Sequence, residues 1–294
     1  MTTFAMYVGL PASGKSTIAH QHEDAYVIID SDETRQKLLG DANDQTQNAR
    51  VFEHMYKETC ECLSRGISCA YVATNLSSRR RINLIQSLRQ KFDNVEYVCY
   101  IINTPLDDCY QRNAVRERRV PDYVISRMVR SFECPSLAEG FDRVEVIDNY
   151  DKTTPNEEFD KIMAKVNEYG NQGNNHHTLT LTDHCSKCAH YVLSHWTNDR
   201  ELQRAAFIHD CGKAYTATRW SGDKDDGQLH YPSHAQVGSY LALNMGYSLY
   251  VAQLVGAHMY PYMDEKARNV WAGRLGPDFW KEVMRLHGAD EAAH

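Results

Sequence analysis

Eight residues near the start, Gly9-Leu10-Pro11-Ala12-Ser13-Gly14-Lys15-Ser16, fit the pattern GxxxxGK[ST], between the apolar run Thr3–Val8 and a helix-forming stretch. A strand, a glycine-rich turn and a helix in that order aim several backbone N–H groups at one point and cradle phosphate. The loop backbone around Gly9, Ser13, Gly14 and Thr17 is expected to wrap the β- and γ-phosphates of a nucleotide. Lys15 would neutralise their charge, and the Ser16 hydroxyl would ligate Mg²⁺.

The pattern around this loop is that of an α/β domain. Strand-like runs at Thr3–Val8, Tyr26–Ile29, Ser68–Ala73, Val95–Ile102 and Val144–Ile147 alternate with helical stretches at Ser16–Gln21, Asp32–Leu39, Asn48–Arg65, Ser77–Phe92 and Leu106–Arg119. Strands separated by helices imply a parallel sheet flanked by helices, with right-handed crossovers, over residues 1–150. Residues 151–173 read as a linker: DKTTPNEEFD leads into a short helix, and YGNQGNN is Gly/Asn-rich. Residues 174–294 read as an all-α domain, because past Thr178 the pattern is helical almost throughout.

A net charge of -7 argues against binding nucleic acid through overall positive charge and leaves local basic patches open. Neither a secretory leader nor a membrane span is expected from the sequence. Nine cysteines without framework spacing fit reduced thiols in a cytoplasm. The one CxxC, Cys185 to Cys188, lies in a helical stretch and is read as packing.

The segment after the second strand, Ile29-Asp30-Ser31-Asp32-Glu33-Thr34-Arg35, places acids at a strand's C-terminal end beside the nucleotide. Asp32 is the candidate general base for an acceptor hydroxyl, and Arg35, one turn on, is suited to an acceptor phosphate. Asp30 is read equally well as a helix cap. The same residues spell DxDxT, a phosphatase nucleophile motif, but their strand is already committed to the nucleotide-binding sheet. Arg112, Arg116 and Arg119 fall at i, i+4, i+7, which predicts a helical lid whose arginines meet transferring phosphates. Arg79–Arg81 is expected to start a helix or form a basic patch near the acceptor.

Taken together, the phosphate loop, Asp32–Arg35 as DxxR, Ala73-Thr74-Asn75-Leu76, the RNxxR of Arg112–Arg116 and Glu139-Gly140-Phe141 resemble the polynucleotide 5′-kinase domain of bacteriophage end-healing enzymes, over roughly residues 4–148. The resemblance implies ATP with Mg²⁺ as cofactor, Asp32 as base with Lys15 and Arg116 also catalytic, Arg35 on the acceptor's 3′-phosphate, and Arg112 and Arg116 on the ATP phosphates. One departure stands out: the family often has an aspartate in the strand before Thr-Asn, where this chain has Val72-Ala73.

The second half carries His184, His209-Asp210, His234, His258 and Asp290 in order, with His209-Asp210 inside HisAspCysGlyLys. Each is predicted on a helix, so the set could converge in a bundle core. Imidazoles with carboxylates suit Zn²⁺, Mn²⁺, Fe²⁺, Co²⁺ or Ni²⁺ far better than Ca²⁺, and an Asp beside a His can bridge two ions. The pattern H…HD…H…H…D with HDxGK resembles the HD phosphohydrolase superfamily over roughly residues 174–294. That resemblance implies His184, His209, Asp210 and Asp290 at a first metal and His234 and His258 completing a second. It also implies Asp210 as a catalytic centre, Lys213 on a substrate phosphate and His177 lining the pocket. His20, His22 and His54 read as surface residues.

The combined expectation is an enzyme that phosphorylates 5′-hydroxyl ends and removes 3′-phosphate or 2′,3′-cyclic phosphate. Its partners would be single-stranded or nicked RNA or DNA ends and, functionally, a ligase, in the cytoplasm of a bacterial host if phage-encoded. The alternative is a small-molecule nucleoside or nucleotide kinase fused to an HD nucleotidase, which shares every catalytic residue.

Overall fold

The computed structural model describes residues 1–151, 153–173, 178–222 and 226–293. The chain forms two compact units, one of residues 1–125 and 135–150, the other of 126–134 and 151–294.

In the first unit, strands β1 (Thr2–Val8), β2 (Val27–Asp30), β3 (Cys69–Val72), β4 (Val95–Asn103) and β5 (Arg143–Asp148) form one sheet in the order β2-β3-β1-β4-β5. Every pairing is parallel. β1 is central, and its residues Phe4 to Val8 are fully buried, as a strand covered on both faces requires. Helices α1 (Lys15–His20), α2 (Ser31–Leu39), α3 (Asn48–Ser64), α4 (Ser78–Arg89), α5 (Leu106–Val115) and α6 (Asp122–Val129) connect or follow the strands. α3 buries Val51, Met55, Thr59 and Leu63, a four-residue repeat that lays one stripe on the sheet.

In one place the structure corrects the expectation, and in another it decides between two alternatives. α5 stops at Val115, and Arg116 is extended at ψ 143°, so Arg112, Arg116 and Arg119 do not share a helix face. The cause is local: the Asn113 amide donates to the Val120 carbonyl (2.7 Å) and accepts from its N–H (2.9 Å), folding the segment into a loop ahead of Pro121. Arg79–Arg81 does begin a helix, but Arg81 is no part of a surface patch: it is 1% exposed and forks onto Glu139 at 2.6 and 2.7 Å.

The second unit contains α7 (Thr154–Tyr169), α8 (Leu181–His195), α9 (Arg200–Ile208), α10 (Lys213–Thr216), α11 (His234–Asn244), α12 (Leu249–Ala257), α13 (Glu265–Leu275) and α14 (Pro277–Glu291). A small antiparallel pair, β6 (Thr218–Arg219) and β7 (Leu229–His230), interrupts the helices and is not foreseen by periodicity. α11 is apolar nearly all round and buried throughout apart from Gln236, which makes it the central helix. Phe132 meets Tyr240 of α11 edge-on at 5.2 Å, both fully buried. Cys185 and Cys188 pack on the buried face of α8, where burial pushes their thiols up. No helix among the described residues is long and apolar enough to cross a membrane.

Candidate functional sites

The phosphate loop leaves the C-terminal end of β1 and is clamped from three sides. The Gly9 N–H donates to the Thr74 carbonyl (3.1 Å), while the Thr104 hydroxyl and the Asn149 amide both donate to the Ser13 carbonyl at 2.8 Å. Gly14 sits at φ 89°, where a Cβ would stand 2.5 Å from Asn149 Nδ2, so both the backbone angle and the space require glycine. Lys15 Nζ folds back to donate to the Leu10 carbonyl at 2.6 Å. Arg112 lies beside this loop, with Nη2 donating to the Asn149 carbonyl at 3.0 Å.

Burial pushes the Lys15 ammonium down to about 8, with the Arg116 charge acting the same way and Cys109, Asp30 and Asp32 opposing it. Because the folded value is lowered, burying the cation costs stability below pH 8, and the cost is relieved as pH rises from there toward the usual lysine range. Phosphate binding needs the cation. Nucleotide affinity, measured by equilibrium titration, is therefore expected to fall by about fivefold between pH 8 and 9. Lys15→Arg should flatten that profile, and a flat wild-type profile would refute it.

Asp30 does more than cap α2. Its Oδ1 accepts from the Asp32 N–H (2.6 Å) and the Glu33 N–H (3.4 Å), and its Oδ2 accepts from the Ser16 hydroxyl at 2.6 Å. A hydroxyl and a carboxylate side by side are the hard oxygen pair that Mg²⁺ prefers, so Ser16 and Asp30 fit a nucleotide-bound magnesium. Asp30 pairs in register with Val72 of β3. An acid therefore stands one strand over from the stretch Val72-Ala73, where the resembling family carries its own. The sequence signal was present in the spelling Asp30-Ser31-Asp32, but the reach of Asp30 to Ser16 depends on the fold.

Asp32 lies at the start of α2 with Arg35 Nη1 at 3.0 Å from Oδ1. The Arg35 guanidinium is 3% exposed and also donates to Asn48 Oδ1 (2.9 Å) and the Ser31 carbonyl (3.3 Å). Arg116 is exposed on the loop after α5.

In the second unit the six metal-type residues come together, mostly from helix ends. His184 is in the first turn of α8, His209 caps α9, Asp210 follows in the turn, His234 opens α11, His258 caps α12 and Asp290 is near the end of α14. All six are buried. Asp210 faces two groups with its two oxygens. Oδ2 lies 3.5 Å from His184 Nε2 and 3.4 Å from His209 Nε2, and Oδ1 lies 3.2 Å from His234 Nε2 and 3.6 Å from His258 Nε2. Asp290 Oδ1 joins the first group at 3.0 Å from His184 and 3.4 Å from His209.

The donor chemistry fits divalent transition metals. Nδ1 of His209, His234 and His258 lies 2.8, 2.8 and 2.6 Å from the carbonyls of Ala206, Tyr231 and Val255. A carbonyl only accepts, so each Nδ1 carries a hydrogen, and each ring, when neutral, turns the lone pair of Nε2 inward. The Nε2 atoms of His234 and His258 are 3.1 Å apart, and those of His184 and His209 3.2 Å. Facing lone pairs at that distance require a shared proton or a cation. Burial pushes His258 down, which keeps it neutral. Burial also opposes charge on His209, but the Asp210 and Asp290 carboxylates outweigh it and lift His209 well above the histidine range, a proton that a metal would replace. Asp210 itself is held well below the carboxylate range: burial acts against this, and Lys213 and His209 prevail. Held by these residues, divalent metals would supply an activated water and a clamp on a phosphoryl oxygen.

Lys213 Nζ sits 2.6 Å from Asp210 Oδ2 and donates to Gln172 Oε1 at 2.9 Å. The Tyr231 hydroxyl donates to the Gln172 carbonyl, and Tyr262 donates to Asp290 Oδ2 at 2.9 Å. Sequence reading missed Gln172, Tyr231 and Tyr262, which carry no spacing signal. Gly212 permits the assembly: a Cβ there would be 2.1 Å from the His234 carbonyl oxygen. His177 and the Asn-Asn-His-His stretch at 174–177 lie outside the described residues.

Fold and sites thus define two classes of chemistry in one chain, a P-loop kinase-like domain and an HD-type phosphohydrolase domain. Residues 5–135 match the family model described as AAA domain, and residues 176–290 match that described as HD domain. Among solved structures, the chain is similar to a chain of the Pnkp1/Rnl/Hen1 RNA repair complex, at 21% identity over 44% of this chain and 43% of that one, with TM-score 0.38. A second structure of the Pnkp1/Rnl/Hen1 complex gives 20% identity over 41% and 42%, with TM-score 0.33. An unliganded sugar kinase from Janibacter sp. HTCC2649 gives 16% identity over 50% and 86%, with TM-score 0.36. The chain spans less than half the length of the two repair-complex chains it matches.

Proposed function

We propose that this protein heals nucleic-acid ends: the first unit phosphorylates 5′-hydroxyls with ATP and Mg²⁺, and the second removes 3′-phosphate or 2′,3′-cyclic phosphate with divalent transition metals. The observation that carries the reading is the Asp32–Arg35 pair at the start of α2, a carboxylate joined to a cation and so suited to an anionic acceptor with a hydroxyl, on the same chain as a buried His/Asp cluster of metal-ligating type. In this reading Lys15, Arg112 and Arg116 meet the ATP phosphates. Arg35 reaches an acceptor 3′-phosphate by exchanging its Asn48 contact, and Lys213 meets the phosphate to be hydrolysed. The two products, a 5′-phosphate and a 3′-hydroxyl, are what a ligase consumes, so a ligase is the functional partner and single-stranded or nicked RNA or DNA the substrate.

The test uses a short oligonucleotide with 5′-hydroxyl and 3′-phosphate, as RNA and as DNA, with ATP, Mg²⁺ and Mn²⁺ or Ni²⁺. Lys15→Ala is expected to lower 5′ phosphorylation by about 10²-fold or more and to spare the 3′ reaction. If neither oligonucleotide end changes while nucleosides or 3′-nucleotides react, the repair reading falls and a small-molecule kinase–nucleotidase replaces it.

A further inference from the structure

Asp32 stands inside a chain of side chains that includes an arginine not yet given a role. Arg35 Nη1 lies 3.0 Å from Oδ1 of Asp32, and Arg118 Nη1 lies 2.7 Å from Oδ2. Each guanidinium is anchored in turn by an asparagine: Arg35 Nη2 donates to Asn48 Oδ1 at 2.9 Å, and Arg118 Nε donates to Asn43 Oδ1 at 2.6 Å. Asn43 lies in the stretch between α2 and α3, and Asn48 is the first residue of α3. That stretch is braced internally, since the Asn43 N–H donates to Asp41 Oδ1 (2.8 Å) and the Asn48 amide to the Gln45 carbonyl (2.8 Å).

A carboxylate held through one oxygen turns easily about its last torsion, which is broad for aspartate. One cation on each oxygen, from two different elements, fixes its plane. Each oxygen keeps a second lone pair, and the Asp32 side chain is 45% exposed, so a hydroxyl can still approach it. Arg118 rides on the loop after α5 that also carries Arg116 and is pinned by the Asn113–Val120 pair.

We propose that Arg118 is a positioning residue of the kinase reaction: it aims Asp32 at the acceptor hydroxyl, and it makes that aim conditional on the α5 loop lying over the nucleotide phosphates. The proposal rests on Asp32 being the base. Arg118 reaches the carboxylate and the Asn43 amide at once through its fork, which a lysine ammonium on a flexible stem does not reproduce.

The experiment measures 5′ phosphorylation of a hydroxyl-ended oligonucleotide by the full chain, varying ATP and oligonucleotide separately, with equilibrium ATP binding as a check on folding. Arg118→Ala is expected to lower kcat by about 10²-fold, the scale of a small misplacement of a reacting group. ATP binding and both KM values should stay within about threefold. Arg118→Lys should not rescue. Asn43→Ala should lower kcat by about tenfold, and Arg118→Ala combined with Asn43→Ala should be no worse than Arg118→Ala alone, because the two act through one contact. The proposal is overturned if Arg118→Ala keeps wild-type kcat, if only the acceptor KM rises, or if lysine restores activity. Asp32→Asn separates the two levels: full activity in that variant removes the base assignment itself, whereas a dead Asp32→Asn beside an active Arg118→Ala removes only the role of Arg118.

Discussion

Asp210→Asn is expected to abolish 3′-end hydrolysis and to strip the second unit of metal, while 5′ phosphorylation continues at the wild-type rate. The amide keeps the shape of the carboxylate but can present an oxygen to only one of the two sides that Asp210 faces. If that oxygen points to His184, His209 and Lys213, the NH₂ group confronts His234 and His258, and the reverse orientation sets it against the Lys213 ammonium. Changes behind a metal ligand already cost roughly 10–100-fold in affinity or activity, so loss of a residue shared by both groups should exceed about 10³-fold. Metal content by mass spectrometry alongside end-specific activity checks it. An Asp210→Asn protein that retains wild-type metal and hydrolysis would show that the carboxylate does not bridge.

The second large effect is on stability. Arg81 and Glu139 form a two-pronged ion pair of 1% and 6% side-chain exposure, and Arg81 Nη1 also donates to the Asn75 carbonyl at 2.8 Å. Asn75 is at φ 48°, in the turn whose Thr74 carbonyl receives the Gly9 N–H, so the pair braces the floor of the phosphate loop. Arg81→Ala takes the cation away from a buried carboxylate, which costs about 3–5 kcal/mol. For a unit of this size that lowers the melting temperature of the first unit by about 10 °C or more, read in a thermal scan against wild type. Replacing both partners, Arg81→Met with Glu139→Leu, should recover most of the loss, because the buried charge is gone. A single variant that melts like wild type would mean the pair contributes nothing net.

What the sequence made legible follows from how local each signal is. The five strands are short apolar runs with polar breaks, and the phosphate loop is eight consecutive residues, so both could be read directly. His209-Asp210 was readable for the same reason. The other histidines were readable as an ordered set, although their placement at helix ends was not. Helix length failed where a side chain intervened, as at Val115, because Asn113 diverts the Val120 backbone and no periodicity records that. The reach of Asp30 to Ser16 and the contacts of Gln172, Arg118 and Tyr262 were not legible for a different reason. Each meets its partner across 14 to 86 positions of chain, at distances only the folded backbone sets.

Phe132 has a consequence for anyone cutting the gene. It fills a place against Tyr240, yet residues 135–150, which follow it, return to the first unit to supply β5. A fragment beginning at residue 151 therefore lacks a fully buried aromatic, a loss on the scale of about 3–5 kcal/mol. A fragment ending before 135 lacks an edge strand. No single scission yields two intact pieces, so a workable hydrolase fragment must bring residues 126–134 with it. On the ribosome, Phe132 emerges long before its partner helix and must wait, unsheltered, for most of the remaining chain to be made.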